Sequence, residues 1–341
     1  MLAAASMPTS HDTPLVPLPA RAELPVSLDV VIPLFNEAAV LPALLDALAA
    51  TFSPASCAAR GLARVRCLFV DDGSSDGSVE LLRAARLPAV EVTVIRLSRN
   101  FGQQAAITAG LAACDADLIG IIDADLQDPP AVLLDMVGRW RAGFEVVYGV
   151  RRNRQEAPPK VFLYWAFYRV YRWLSPIAVP VDSGDFSLMS RRVIEELARL
   201  PERVRFPRGL RTWIGFPQTA LEYDRPARAA GETNYTWRGL YQLATEGIAS
   251  LSLRPLQLAQ VLSIIFFMLS LGAAGAVVVG AIDERSAGPP LPLLAVLILL
   301  SNSIILFCLY IIGAYLGRAY LEVKQRPAYV VAEVWRSGDG T

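Results

Sequence analysis

The sequence is poor in the residues on which much enzyme chemistry depends. Its 341 residues contain a single histidine, His11, and four cysteines, none of them in a C-x-x-C pair. A Ser-His-Asp triad and a histidine-rich metal site are therefore excluded, and a disulfide framework or zinc site is not indicated. Any group that accepts a proton in this protein has to be a carboxylate.

Net charge is also lacking, since 32 basic and 32 acidic side chains give a formal charge of zero. A protein that binds nucleic-acid phosphates carries an excess of basic residues, so nucleic acid is not an expected partner. Lysine is almost absent, with only Lys160 and Lys324, and arginine is the default cation. With 19% charged and 54% hydrophobic residues, the chain is too apolar to be wholly water-soluble.

The apolar excess lies near the C-terminus. Between residues 256 and 317 the only charged residues are those at 283–285. The uncharged stretches on either side exceed the roughly 20 residues that span a hydrocarbon layer, so we predict transmembrane helices at 255–282 and 286–317. Basic residues flank the pair on its outer sides, which predicts cytoplasmic ends and a cytoplasmic N-terminal domain. A buried core hairpin is the alternative.

The rest of the chain divides by composition. Residues 1–27 have no basic segment followed by an apolar one, and we expect a disordered tail there, not a secretory signal. Residues 28–230 have the charge content of a globular domain, 231–254 form a juxtamembrane segment, and 318–341 form a cytoplasmic tail. Within the domain, 158–175 are aromatic and basic, too polar and short to span, which predicts a helix at the membrane interface.

Short, β-branched apolar runs alternate with helical patterns over the first 150 residues. The predicted strands are 28–33, 65–71, 90–97 and 118–123, and the predicted helices are 38–50, 78–85, 103–113 and 130–141. This βαβα series predicts an α/β fold with a mostly parallel sheet and helices on both faces. In such sheets, ligands bind beyond the carboxyl ends of the strands.

Carboxylates follow two of these strands. Asp71 ends the second strand, and Asp123 and Asp125 follow the fourth. Such a cluster repels itself unless a cation compensates it, and Mg²⁺ is typically held by one or two carboxylates plus substrate phosphates. The pattern predicts a divalent metal that bridges to a diphosphate. The alternative is that Asp125 caps the helix introduced by Pro130.

The motifs, in their order, resemble a known family. They are VVIPLFNE at 30–37, VDDGSSDGS at 70–78, LSRNFGQQAAITAG at 97–110, DADLQDPP at 123–130 and DSGDFSLMSR at 182–191. This series is similar to the family 2 glycosyltransferases of GT-A (Rossmann-like) fold. With the C-terminal apolar pair, it resembles the bacterial polyprenyl-phosphate glycosyltransferases related to dolichol-phosphate mannose synthase.

The resemblance implies a reaction and a location. A sugar would move with inversion from a nucleotide diphosphate-sugar to polyprenyl (undecaprenyl) phosphate, at the cytoplasmic face of the bacterial inner membrane. The product would be a lipid-linked sugar donor for cell-envelope glycans. UDP-glucose is the first expectation for the donor, with N-acetylglucosamine, mannose or a modified sugar as alternatives, and a homo-oligomer is expected.

The resemblance also implies roles for individual residues. The metal, Mg²⁺ or Mn²⁺, is expected at Asp123, Asp125 and Gln127. Asp185 is expected to act as a base or to orient the acceptor, with Asp125 and Asp182 as further catalytic candidates. The residues expected to contact the nucleotide are Pro33, Phe35, Asn36, Glu37, Asp71, Asp72, Ser98, Asp123 and Ala124.

The acceptor phosphate requires basic side chains. Arg151, Arg152 and Lys160 follow the apolar run FEVVYGV, and Arg208 lies in the family-matched RFPRGLRTWIGF, so these four are the candidates. The alternative is that these four are ordinary basic side chains exposed to solvent. One departure is Asn234, where family members commonly have Lys, so that another cation has to take over any phosphate contact made there.

Two other functions remain open at this point. A processive polysaccharide synthase shares the acidic loops, but two predicted spans are too few to build a translocation channel. A catalytically silent membrane scaffold or nucleotide-sugar sensor is the alternative of a different class. Incubation with a panel of nucleotide sugars and undecaprenyl phosphate distinguishes these possibilities.

Overall fold

The chain folds into two compact units, which are described separately. The first comprises residues 1–168, 177–238 and 327–341, and the second comprises 169–176 and 239–326. The computed structural model describes residues 17–21, 24–152, 183–202, 207–224, 259–262, 264–269, 272 and 291–337.

An eight-stranded sheet forms the centre of the first unit as far as it is described, in the order β7-β5-β6-β4-β1-β2-β3-β8. The strands are β1 (Val26–Leu34), β2 (Leu62–Asp71), β3 (Glu91–Leu97), β4 (Leu118–Ile121), β5 (Val146–Arg151), β6 (Ser183–Ser190), β7 (Gln218–Tyr223) and β8 (Val331–Arg336). The helices of this unit are α1 (Leu41–Thr51), α2 (Pro54–Ala59), α3 (Ser78–Ala84), α4 (Gln103–Ala112), α5 (Ala131–Arg141), α6 (Arg191–Arg199) and α7 (Pro207–Trp213).

The four strands β3, β2, β1 and β4 run parallel, while β6 and β8 pair antiparallel to their neighbours. Alternate residues of β1 face opposite sides of the sheet, as strand geometry requires. Val30 and Ile32 pack in the core layer that holds α1 and α5. Val31 packs in the layer that holds α4 and α6. The predicted α/β fold, with a mostly parallel sheet and helices on both faces, is confirmed.

A glycine permits helix α4 to lie close against the sheet. A Cβ atom built on Gly110 would be 2.3 Å from Val31 Cγ1 and 3.1 Å from Val70 Cγ2. Both valines are fully buried in the core. Because the methyl groups have no space to retreat, this contact fixes how closely α4 approaches β1 and β2.

We expect Gly110→Ala to lower stability by about 1–3 kcal/mol through overpacking. Thermal unfolding of the detergent-solubilised protein measures this. The matched control is Gly138→Ala in α5, where the nearest atom to an added Cβ is Arg60 Nη1 at 3.9 Å. The control should be neutral or stabilising, because alanine favours a helix over glycine. Equal melting temperatures for the two variants would contradict the packing argument.

The chain returns to the sheet near its C-terminus. β8 pairs antiparallel with β3, with Val94 opposite Trp335 and Ile95 opposite Val334. Residues 318–341 were predicted to form a cytoplasmic tail, but part of this segment is an edge strand of the sheet. β8 supplies hydrogen-bond partners for the outer backbone groups of β3, which would otherwise lack them in this sheet.

The described part of the N-terminal segment also differs from the predicted disordered tail at 1–27. Leu18 N donates to Gly143 O at 3.0 Å. The guanidinium of Arg21 lies 4.4 Å from the ring centroid of Trp140 and pairs with Glu145 at 2.5 Å. These contacts tie residues 17–21 to the end of α5, whereas residues 1–16 lie outside the described residues.

The second unit contains a 33-residue helix, α8 (Leu291–Val323). Its part Leu300–Val323 contains an 18-residue stretch with a mean hydropathy of 1.8 and is long and apolar enough to cross a membrane, by length and composition. The helix covers most of the predicted second span, 286–317, and continues six residues beyond it.

The first predicted span, 255–282, stays a prediction. Its described residues, 259–262, 264–269 and 272, are helical and mostly exposed. The remainder of that span lies outside the described residues, as do the predicted interfacial helix at 158–175 and the juxtamembrane segment at 231–254. A transmembrane hairpin is therefore not confirmed.

Candidate functional site

Two loops that carry predicted site residues are joined at the carboxyl ends of β1 and β2. Leu34 and Asp71 pair in register at these ends. Asn36 N donates to Ser74 Oγ at 2.8 Å, and Ser75 N donates to Asn36 Oδ1 at 2.9 Å. Asn36 has φ 55°, a left-handed conformation that asparagine tolerates better than most residues. The structure thus brings the candidate loop 33–37 next to Asp71.

The members of this loop differ in exposure. Pro33 is buried at the end of β1, Phe35 is 44% exposed, and Glu37 is intermediate. The Phe35 ring is a large apolar surface in contact with solvent beside a polar loop. A planar base could cover such a surface, whereas Pro33 acts only through the shape of the backbone.

Asp71 is fully buried and only half satisfied. Its Oδ1 accepts a hydrogen bond from Ser74 N at 3.0 Å. Its Oδ2 has no hydrogen-bond partner among the described residues, and Arg96 Nε forms an ion pair with it at 3.4 Å. A buried carboxylate oxygen without a donor is costly, so it favours a ligand that supplies one.

Asp72, the next residue, is committed to the protein itself. Its two oxygens accept hydrogen bonds from Phe101 N at 2.7 Å and Gly102 N at 2.8 Å. Burial raises the pKa of Asp72, and these two bonds partly offset the rise. Gly73 follows at φ 80°, and a Cβ there would lie 2.8 Å from the carbonyl carbon of Arg99. Asp72 therefore anchors the loop after β3, which differs from the expected nucleotide contact.

Of the three remaining nucleotide candidates, Ser98 and Ala124 have different surroundings. Ser98 is exposed, and its N–H donates to Val330 O at 2.9 Å. It lines a cavity of about 330 Å³ together with Gly73, Arg96, Leu97, Arg99, Ala332 and Glu333. Ala124 is 5% exposed and packs in the core, so its side chain does not reach a ligand.

The loop after β4 gathers carboxylates. Asp123 accepts from Gln103 Nε2 at 2.9 Å. Burial raises the pKa of Asp123 to about 7, and the negative charge of neighbouring carboxylates contributes to the rise. These neighbours are Asp128, Asp185 and Asp125. We call Asp71, Asp123 and Asp125 the acidic edge.

The alternative role for Asp125 fails in the structure. Helix α5 begins after Pro130 and has no side-chain cap. Asp125 is 8% exposed, and its Oδ1 accepts from Gln127 N at 3.1 Å, within its own loop. The carboxylate therefore shapes the loop of the acidic edge and does not cap the helix.

The donor set of this loop fits a divalent cation held only in part by protein. Among the described residues, no three His, Cys, Asp or Glu side chains form a metal-binding group. Asp123 and Asp125, with the amide of Gln127 close in sequence, are oxygen donors of the type that Mg²⁺ and Mn²⁺ prefer. A cation here would need further oxygens from a substrate. Burial is the main cause of the raised pKa of Asp123, and the negative charge of its neighbours adds to the rise; a cation would compensate that charge.

Next to the acidic carboxylates lies an ion pair. Arg208 Nε and Nη2 donate to the two oxygens of Asp185 at 2.8 and 3.2 Å. Gln104 Nε2 donates to Asp185 Oδ2 at 3.1 Å. Asp185 is 5% exposed. Burial alone raises the pKa of Asp185, but the charge and hydrogen bonds of Arg208, followed by Gln104 and Arg211, hold it below its usual value.

Arg151 belongs to the same region, and Arg152 does not. The Arg151 side chain is hydrogen bonded to Tyr223, and Asp128 and Asp123 contribute to raising its pKa, against the effect of burial. Tyr223 in turn donates a short hydrogen bond to Asp128. Arg152 is exposed and pairs with Glu222 at 3.4 Å. The candidates Lys160 and Asp182 lie outside the described residues, as does Asn234.

Known proteins are similar in sequence to the part of the chain that forms most of this site. The pattern of Glycosyl transferase family 2 matches residues 29–198. An uncharacterized glycosyltransferase of Bacillus subtilis (strain 168), YkcC, is 43% identical over 265 residues, which cover 77% of this chain and 82% of that protein. The chain belongs to glycosyl transferase family 2.

Relatives of this family 2 enzyme include proteins named for a lipid substrate. The prophage bactoprenol glucosyl transferase homolog of Escherichia coli (strain K12) is 32% identical, over 79% of this chain and 89% of that protein. The SfII prophage-derived bactoprenol glucosyl transferase of Shigella flexneri is 34% identical, over 80% and 88%. The family membership makes this chain a sugar-transferring enzyme.

Several residues of the glycosyl transferase site were not singled out from the sequence. Gln103 and Gln104 begin α4 and bond to Asp123 and Asp185. The sequence contains a signal for both glutamines, because they follow the third predicted strand within the motif LSRNFGQQAAITAG. Asp128 was also quoted, but its partner Tyr223 is 95 residues away, and no local pattern predicts that contact.

Proposed function

We propose that this glycosyl transferase moves a sugar, with inversion, from a nucleotide diphosphate-sugar to the phosphate of a polyprenyl lipid. UDP-glucose is our first choice of donor and undecaprenyl phosphate our first choice of acceptor. The observation that carries the proposal is the adjacency of carboxylates and an arginine: the consecutive residues Gln103 and Gln104 donate to Asp123 and Asp185, and Arg208 donates two hydrogen bonds to Asp185. The relatives named bactoprenol glucosyl transferases support the lipid and the hexose.

On the donor side, the residues at the acidic edge have separate tasks. Asp71 Oδ2 would accept a hydrogen bond from the nucleoside, and Phe35 would cover its base. A divalent cation, when bound, would be held by Asp123, Asp125 and Gln127 and would supply Lewis acidity for the departing diphosphate. Gln103 holds Asp123 in place for this role, through the hydrogen bond at 2.9 Å.

On the acceptor side, the reaction needs alignment more than a strong base. A phosphate monoester is already anionic near neutral pH, so what opposes its attack is repulsion by the donor diphosphate. Arg208 and Arg151 would offset this repulsion. The lowered pKa of Asp185 makes that carboxylate a weak base, and its two bonds to Arg208 make it a positioning residue.

The membrane is where a polyprenyl acceptor is available. The apolar helix segment Leu300–Val323 supports attachment to a bilayer. The positive residues outside the predicted spans favour a cytoplasmic catalytic domain in the bacterial inner membrane. The product would be a polyprenyl-linked sugar, used for the modification of cell-envelope glycans.

A transfer assay tests the function directly. Purified enzyme with Mg²⁺ or Mn²⁺, undecaprenyl phosphate and a panel of nucleotide sugars should form a glycolipid, with UDP-glucose as the best donor. An α-linked donor should give a β-linked product, which NMR of the anomeric proton measures. Formation of no glycolipid from any donor contradicts the proposal and favours a silent scaffold. A long glycan chain as product would indicate a processive synthase.

A further inference from the structure

Arg211 is a buried cation with an unused binding edge. It lies on α7 and is only 3% exposed. Its Nε and Nη2 atoms are buried and have no hydrogen-bond partner among the described residues. These two atoms form one edge of the guanidinium, the fork that binds carboxylates and phosphates through two parallel hydrogen bonds.

Two other arginines, one buried and one partly buried, show what this edge does when it has a partner. Arg66 uses Nε and Nη2 to bind the two oxygens of Asp29, at 2.9 and 2.5 Å. Arg208 uses the same two atoms to bind Asp185. In Arg211 the equivalent pair of donors has no bidentate partner in the described part of the chain.

The surroundings of Arg211 place this edge in the candidate site. Arg208 precedes it by three residues on α7, so the two side chains are neighbours on the helix surface. Its guanidinium lies 5.2 Å from the ring centroid of Tyr148, on β5. Asp185 attracts Arg211 and Arg208 repels it. Arg208 binds both oxygens of Asp185, so this carboxylate does not fill the Nε and Nη2 edge of Arg211.

Burying a charged group whose hydrogen bonds are not made costs free energy. A buried guanidinium with an unused edge, such as that of Arg211, therefore favours the binding of a ligand. Burial lowers the pKa of Arg211 to about 10, and Arg208 contributes to the lowering while Asp185 opposes it. The free energy lost in burying the group would be recovered when an anion binds. A phosphate monoester has the matching geometry, because two of its oxygens can accept from one fork.

We propose that Arg211 binds the phosphate of the acceptor through its Nε and Nη2 atoms, beside Arg208. This inference rests on the proposed function, which supplies a phosphate monoester as acceptor. Asp185 then holds Arg208 in position, while Arg211 keeps its own fork for the substrate. The donor diphosphate is the other source of a phosphate in the same site, and the experiment separates the two.

The test is Arg211→Met, which removes the charge and keeps a long apolar side chain. We expect the KM for undecaprenyl phosphate to rise at least 30-fold, because a bidentate charged contact is lost. The Kd for UDP, measured in the presence of Mg²⁺, should stay within about twofold. The melting temperature should be unchanged or higher, since an unpaired buried charge has been removed.

Two further variants make the outcome decisive. Arg199→Met is the matched control, because Arg199 is 73% exposed and pairs only with Glu196 among the described residues, and it should leave all three quantities unchanged. Arg211→Lys keeps the charge but loses the fork, and should raise the KM by a smaller factor. It also tests the fork if the methionine variant does not fold.

Each contrary result identifies what has failed. A lower melting temperature with an unchanged KM for the lipid would make Arg211 a structural residue and overturn the inference. A weaker Kd for UDP with an unchanged lipid KM would assign the fork to the donor, and an unchanged KM in Arg211→Lys would exclude bidentate binding. If the wild-type enzyme makes no glycolipid, the proposed function is overturned together with the role of Arg211. If the wild type is active and Arg211→Met is equally active, only the role of Arg211 is overturned.

Discussion

Asp125→Asn should reduce sugar transfer by at least about 1,000-fold, because the metal-assisted stabilisation of the departing diphosphate, worth several kcal/mol, is lost. Asparagine has nearly the same shape but no negative charge, so the cation would lose one of its two proposed carboxylates. The bond from Gln127 N to the side chain can persist through the remaining amide oxygen. Folding and membrane insertion should therefore be unaffected.

The measurement is the turnover of purified enzyme across a titration of Mg²⁺ and of Mn²⁺. The matched control is Asp135→Asn on α5, where the carboxylate is 59% exposed and pairs with Arg60 on the surface. The control should retain wild-type turnover and the same dependence on metal. Full turnover of Asp125→Asn at ordinary metal concentrations would remove Asp125 from the metal site.

Asp185→Asn should reduce kcat/KM for the lipid acceptor by about 100-fold, since truncating one partner of a buried charge pair typically costs 2–5 kcal/mol. The amide no longer holds Arg208 through two charged bonds, and it removes the carboxylate charge that attracts the buried guanidinium of Arg211. Stability should also fall, by about 3 kcal/mol. UDP binding should change little, because Asp185 contacts Arg208 and Gln104 and not the loops assigned to the nucleoside.

A double variant and a pH profile together distinguish a positioning role of Asp185 from a role in proton transfer. Adding Arg211→Met to Asp185→Asn removes the buried charge of Arg211, which Asp185 no longer offsets. The melting temperature should therefore partly recover while sugar transfer stays low. A weak base is not expected to govern the reaction, so the pH dependence of kcat in the wild type should show no acid limb assignable to Asp185. Wild-type kcat/KM for the lipid in Asp185→Asn would contradict the positioning role.

Periodicity predicted much of the sheet domain. Runs of β-branched residues located β1 to β4 within a few residues, and alternation with helices predicted their parallel order. The carboxylates of the acidic edge could be predicted to lie together because the ends of parallel strands meet at one edge of a sheet. Alternation along a strand could not indicate how Asp71 and Asp72 differ. One oxygen of Asp71 has no hydrogen-bond partner among the described residues, whereas both oxygens of Asp72 accept hydrogen bonds from the loop after β3.

Contacts between distant segments could not be predicted from the sequence. Gln104 and Asp185 are 81 residues apart, and their hydrogen bond depends on how α4 packs on the sheet. Arg208 and Arg211 stood among several arginines, and only burial and partners distinguish them from a solvated pair. β8 is short and follows the apolar helix, and the sequence contains no signal of which sheet edge is open to receive it.

The position of β8 in the sheet has a consequence for how the enzyme is connected. In chain order, residues 239–326 of the second unit lie between β7 and β8, both of which belong to the same sheet. The apolar helix α8 is therefore part of an insertion between two strands of the sheet and does not follow the last described strand. Two covalent connections, one after β7 and one before β8, join this insertion to the sheet, instead of a single one.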